Sequence, residues 1–381
     1  MLTHLALFAA LLPAAVTPAV AAPTDVTLAW ASDAHQSVQL TWREDGDYAD
    51  HVWVTDLDGT AIGYDQKVAA GQPDRLVIST ADLPRNVDVR LAIQPVDAAG
   101  QPLGDAAHSV GFDTDQAPRP VVTDATPRVD GTILLTWKAG AYHDDTPGDP
   151  LDLPDAPARY VPLGSQPTFN DFDQLVTAPI AGTSFVVPTT RTLPEWLGVL
   201  ATPNEWGASR FPGNIARITR TQLTASIPHT AVTGQPLRVT GVSTLIVRIC
   251  DPGPCGSEPD PDSGRVLHLQ ARTSGTAPWQ TVATTTAAAR DGKYSFRITS
   301  PGTRQYRVVA EPISGVDDQT AKSYAVTAAV TVASSSSEGG SGGGLPITGA
   351  PVAWIAAGGA VLLLLGIGLA VAGRRRKRVE T

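Results

Sequence analysis

Cysteine is almost absent from this 381-residue chain: there are two, with one methionine and seven histidines. Two cysteines exclude a disulfide-dense scaffold and a four-cysteine zinc site. The histidines are scattered, and no His-Glu-x-x-His helix or Walker loop occurs, so the sequence assigns no catalytic residue, no cofactor and no metal site. Charge is also scarce, at 17% of residues against about 25% in ordinary soluble domains. Basic residues are the scarcer sign, 28 against 37 acidic, for a net −9. That balance argues against nucleic acid, which is bound through Lys and Arg. What is present is apolar: 42% hydrophobic residues are too many for a disordered chain, and the length suffices for two to four domains with their own cores.

Both ends read as addresses. Residues 5–20 form a short apolar run broken by Pro13 and Pro18, ending in Ala19-Val20-Ala21. This small-x-small ending predicts a secretory signal peptide, residues 1–21, cut after Ala21. The alternative is an N-terminal membrane anchor, for which the run is short. At the other end stand Leu345-Pro346-Ile347-Thr348-Gly349, then residues 352–372 without a charge, then Arg374-Arg375-Arg376-Lys377-Arg378. As a helix the uncharged stretch would rise about 31 Å, enough for a bilayer core. The basic cluster would stay cytoplasmic, leaving the rest of the chain outside. The tail holds five of the 28 basic residues and one of the 37 acidic ones, so residues 1–373 carry −13.

Residues 345–381 resemble the LPXTG cell-wall sorting signal of Gram-positive surface proteins. The resemblance implies that a sortase cysteine attacks the Thr348–Gly349 peptide bond. An amine of the peptidoglycan precursor then releases the thioester and leaves Thr348 linked to the wall. These residues are substrate, not catalyst. The plain alternative is a single-pass membrane protein.

Residues 334–344 read Ser-Ser-Ser-Ser-Glu-Gly-Gly-Ser-Gly-Gly-Gly, a flexible stalk. Upstream the chain repeats itself. Leu40-Thr41-Trp42 recurs as Leu135-Thr136-Trp137, each within an apolar strand-like run. Residues 91–100 are matched in pattern by residues 200–207, and an insert at residues 143–157 accounts for the longer second spacing. These features predict an all-β array of tandem sandwiches. Residues 22–116 and 117–222 resemble fibronectin type III modules. Residues 223–333 resemble bacterial Ig-like repeats, with alternation at Leu223, Ala225 and Ile227 and at Tyr294, Phe296 and Ile298, and a hairpin turn predicted at Asp291-Gly292.

Four features could carry more than packing. Cys250 and Cys255 flank Asp-Pro-Gly-Pro and predict a local disulfide in an oxidising compartment. Asp144, Asp145, Asp149, Asp152 and Asp155 crowd the insert; they fit a solvated loop, or hard ligands for Ca²⁺. Glu44, Asp45, Asp47 and Asp50 form a similar, weaker group. Trp206, in Asn204-Glu205-Trp206-Gly207, stands where a sandwich-end loop could anchor a partner or sugar ring, or fold back on its own domain; Trp196 reads as packing.

The expectation is a non-enzymatic protein, exported and fixed to peptidoglycan, extracellular, crossing the membrane only before sorting. Its partners would be the sortase and the peptidoglycan precursor, with a host or matrix protein or a glycan as a further ligand. The rival is an extracellular carbohydrate-binding factor or hydrolase. A deep pocket with converged carboxylates would favour the rival; closed sandwiches with shallow loops would favour the first.

Overall fold

The described residues fold as strands joined by turns and loops, and the only helical piece among them is a 3-10 turn at Thr80–Asp82. The computed structural model describes residues 20–335, leaving out 142, 143, 155, 166–171, 190, 192, 250–254, 317 and 318. Almost all of the predicted signal peptide, most of the stalk and the whole sorting signal therefore lie outside the described residues. Among the described residues no helix is long and apolar enough to cross a membrane.

The first module contains β1 (Thr24–Trp30), β2 (Ser37–Arg43), β3 (Ala49–Asp56), β4 (Ala61–Val68), β5 (Arg75–Ser79), β6 (Asp88–Val96), β7 (Ala107–His108) and β8 (Phe112–Asp113). One sheet runs β1-β2-β5; the other runs β4-β3-β6 with β7 and β8 both on β6. Alternate residues of β2 (Val38, Leu40, Trp42) pack against those of β3 and β6 (Val52, Val54, Val89, Leu91, Ile93) to make its core.

The second module contains β9 (Val121–Pro127), β10 (Ile133–Lys138), β11 (Tyr160–Ser165), β12 (Phe172–Gln174), β13 (Ser184–Val187), β14 (Glu195–Ala201) and β15 (Ala216–Ser226). Its sheets run β13-β10-β9 and β12-β11-β14-β15. The sequence repeat is a structural one. Trp42 and Trp137 lie on the middle strands of the two three-stranded sheets, both buried. Each neighbouring threonine pairs across to the first strand, Thr41 with Thr27 at 2.6 Å and Thr136 with Thr123 at 3.2 Å.

The third module adds β16 (Thr230–Val232), β17 (Pro236–Ile249), β18 (Gly256–Pro261), β19 (Val266–Arg272), β20 (Gln280–Thr286), β21 (Lys293–Thr299), β22 (Arg304–Ala310), β23 (Ala321–Lys322), β24 (Ala325–Val326) and β25 (Val330–Ser335). One sheet runs β16-β25-β22-β19-β20; β17, β18 and β21 join the end of β15 in the other. The turn at Asp291-Gly292 forms, with Gly292 at φ +65°. It does not make a hairpin, because β20 pairs β19 while β21 pairs β17, so it carries the chain between sheets.

β15 serves two modules. Its Ala216–Ile218 half pairs β14, and its Arg220–Ser226 half pairs β17. The strand runs through residues 222 and 223 without a break.

Candidate functional site

The site is built where the second module reaches into the first. The loop after β14 is closed by Asn204 and Gly207, which exchange backbone hydrogen bonds of 3.2 and 3.0 Å, with Gly207 at φ +98°. The Asn204 side chain accepts from Trp206 N at 3.1 Å and donates to Asp115 O at 2.7 Å. Trp206 is thereby aimed away from its own sandwich. It is 6% exposed and joins the core of the first module, 5.3 Å from the Trp30 ring and stacked 6.0 Å from Phe112. It neither stands free nor folds back on its own domain.

The acidic insert makes a second contact with the first module. Leu151 is 3% exposed and belongs to the first module's core; its carbonyl accepts from Trp30 Nε1 at 3.0 Å. The solvated loop expected from composition is therefore anchored. Its aspartates cap its own turns: Asp144 accepts from Thr146 N, Asp149 from Leu151 N and Asp152 from Gly148 N. Asp144 and Asp149 thereby make Asx turns, which hold a loop that has no ladder. Burial raises the Asp149 carboxyl above its ordinary value, with the charges of Asp152 and Asp113 adding to it and its own hydrogen bonds opposing. Asp155 lies outside the described residues.

Between the two modules lies a cleft of about 1150 Å³, whose lining includes Asp113, Asp144, Asp149, Asp152, Arg159 and Trp206. Asp113, Asp144 and Asp152 bring one carboxylate oxygen each within 4.8 Å of one another. Only Asp144 and Asp152 of that trio belong to the insert; Asp113 ends β8, and its spatial pairing with them has no trace in sequence spacing. Three carboxylates fall short of the 6–8 oxygens that Ca²⁺ takes. Among the described residues, this cleft meets part of the criterion for the rival reading.

The Glu44 group sits at the β2–β3 end of the first module. Trp42 Nε1 donates to Asp50 Oδ2 at 3.0 Å, while Asp50 Oδ1 and Glu44 Oε2 are buried without a partner. Burial, with the charge of Asp50, raises the Glu44 carboxyl to about 7. Burial likewise raises Asp50 to about 6, against the lowering effect of the Trp42 bond.

Trp196 lies on the outer face of β14, with the Arg248 guanidinium 4.4 Å from its ring centroid. Cys255 is buried and carries no free thiol. Cys250 lies outside the described residues, as do Leu345, Pro346, Ile347, Thr348 and Gly349.

No protein-family model and no curated protein matches this chain. Solved structures do match at low similarity. The FN1–FN3 domains of chicken CNTN1 are 10% identical, with 82% of this chain and 98% of that one covered at a TM-score of 0.28. A tetra-tandem repeat from the extending region of a large adhesion protein is 14% identical, covering 81% and 74%, TM-score 0.21. The central fibronectin-III array of RIM-binding protein is 15% identical, covering 84% and 99%, TM-score 0.19. Two of these three neighbours are tandem fibronectin-type arrays. At these scores they carry no argument about activity, and the all-β modular architecture rests on the strand pairing itself.

Proposed function

We propose that this is a non-enzymatic, exported surface protein, linked through Thr348 to peptidoglycan by a sortase, in which the sandwich array displays or spaces an adhesion or wall-structural surface. The single observation that carries the reading is the order of Leu345-Pro346-Ile347-Thr348-Gly349, an uncharged 21-residue stretch and a basic cluster. The array is consistent with it: loops that could present a ligand at the first junction are spent on holding modules together. The signal peptide, the membrane helix at 352–372 and a Cys250–Cys255 disulfide belong to the same reading. Thr348→Ala is expected to move the protein from the wall fraction to membrane and medium; continued covalent wall linkage would refute it.

The acidic cleft favours a second reading, an extracellular carbohydrate-binding factor or hydrolase using Asp113, Asp144 and Asp152. A glycan binding and hydrolysis screen on wild type and Asp113→Asn separates the two. Loss of a wild-type activity in the variant would establish the second reading.

A further inference from the structure

We propose that the third module docks a linear polyol-phosphate polymer on the outer face of the β15–β17–β21 sheet, held by Arg238 and Arg297. The inference rests on the surface reading above and names a partner for it.

Charge is distributed unevenly along the array. Residues 22–116 hold 5 basic and 16 acidic residues, net −11; residues 117–222 hold 8 and 11, net −3; residues 223–333 hold 10 and 8, net +2. The sign changes only in the last module, the one that precedes the stalk.

Within that module one pair of cations is placed at a cost. Arg238 of β17 lies directly opposite Arg297 of β21 in the antiparallel ladder, and both are exposed. Like charges directly opposite one another destabilise a ladder. Among the described residues no carboxylate pairs with either. The nearby Lys293 is paired with Asp291 at 2.6 Å, and Arg43 with Asp25 at 4.0 Å. On the opposite sheet Arg272 and Arg307 lie 4.4 and 4.3 Å from the Trp279 ring centroid, and their Nε groups donate to Gln305 and Gln270. Arg238 has one bond, from Nε to Ser295 Oγ at 3.3 Å, which holds that guanidinium to the sheet surface.

The geometry suits an extended phosphate polymer. A guanidinium presents parallel N–H donors that match a phosphate's oxygens, and two such forks on adjacent strands can take one or two phosphates. The Thr240 and Ser295 pair, next along the same face, supplies hydroxyls for a polyol backbone. An exposed strand face lets an extended chain run along it. The gradient of charge then orients the molecule, drawing the third module onto the polymer and repelling the first.

The test uses the full chain in neutral detergent with poly(glycerol phosphate) as probe, and polygalacturonate and a neutral glucan as comparators. The wild type is expected to bind the phosphate polymer in a salt-sensitive way. Arg238→Gln with Arg297→Gln should weaken binding by ~10-fold or more, as loss of two charge-assisted contacts requires, without lowering the melting temperature. Arg272→Gln with Arg307→Gln should leave binding intact. Should the glutamine pair fail to fold, Arg238→Lys with Arg297→Lys keeps the charge and loses the fork, and is expected to bind several-fold more weakly. Unchanged binding in the 238/297 variants, loss in the 272/307 variant, equal binding of polygalacturonate, or self-association of the chain in place of polymer binding would each overturn the proposal. Wall linkage plays no part in this assay, so its failure is distinct from failure of the Thr348→Ala experiment.

Discussion

The two junctions of the array solve the same problem with different chemistry. At the first, side chains of one module plug the open end of its neighbour: Trp206 and Leu151 enter the core formed around Leu40, Phe112 and Ile93. At the second, the backbone does the joining, since β15 is the edge strand of one module and a paired strand of the next. A short parallel strand reinforces it, with β23 pairing Ile218 and Thr219 of β15 and Ala321 entering the second module's core. Around it lies a buried polar network. Lys322 Nζ meets Asp262 Oδ1 at 2.7 Å, Ser243 Oγ donates to Asp262 Oδ2 at 2.9 Å, and Arg265 donates to the carbonyls of Glu311 at 2.6 Å and Ser323 at 3.0 Å. An apolar plug can be withdrawn without breaking either sandwich. A shared strand cannot be parted without unfolding both.

The largest effect is expected at the second junction. Asp262 is fully buried and faces two cations, so Asp262→Ala leaves them uncompensated. A loss of about 3–5 kcal/mol is expected, with the second and third modules melting together in calorimetry. Separate melting would contradict the shared-strand account. Trp206→Ala comes next, at about 3 kcal/mol; it should split off an early transition belonging to the first module and leave the rest unchanged. Reducing the proposed Cys250–Cys255 bond should cost no more than about 2 kcal/mol, because the closed loop is short. Intact mass of the protein before and after reduction checks that the bond was there.

The smallest effect concerns pH and sharpens the comparison by touching only the first module. The Glu44 and Asp50 carboxyls are raised to about 7 and about 6, so the folded state holds their protons more tightly than the unfolded chain does. Their contribution to stability is therefore fully present below about pH 4 and is lost as pH rises toward 7, by on the order of 1 kcal/mol after solvent screening. Glu44→Gln should flatten that slope when urea midpoints are compared at pH 5 and pH 8. An unchanged slope would remove Glu44 from the explanation.

Much of the array was legible in the sequence because strands write a period of two. The Leu-Thr-Trp repeat marked a strand in each of two modules, and both strands lie in the middle of their three-stranded sheets. The junctions were not legible. Trp206 read as a loop residue, correctly, but nothing local says whose core it enters. Leu151 is one of two leucines among prolines and aspartates, and it is buried in a core whose Trp30 lies 121 positions away. The Asp291-Gly292 turn signalled a reversal, and a dipeptide cannot say whether the next strand stays in the same sheet. The convergence of Asp113 with the insert was equally invisible, being made by the packing of one module on the next.

Amide hydrogen exchange across β15 tests the central contrast most directly. The account predicts that the amides of Ala216–Ile218 and of Arg220–Ser226 share one opening free energy, common to the second and third modules, while β1–β6 of the first module open separately and faster in Trp206→Ala. A step in protection at residues 219–220, with each half of β15 following its own module, would contradict it.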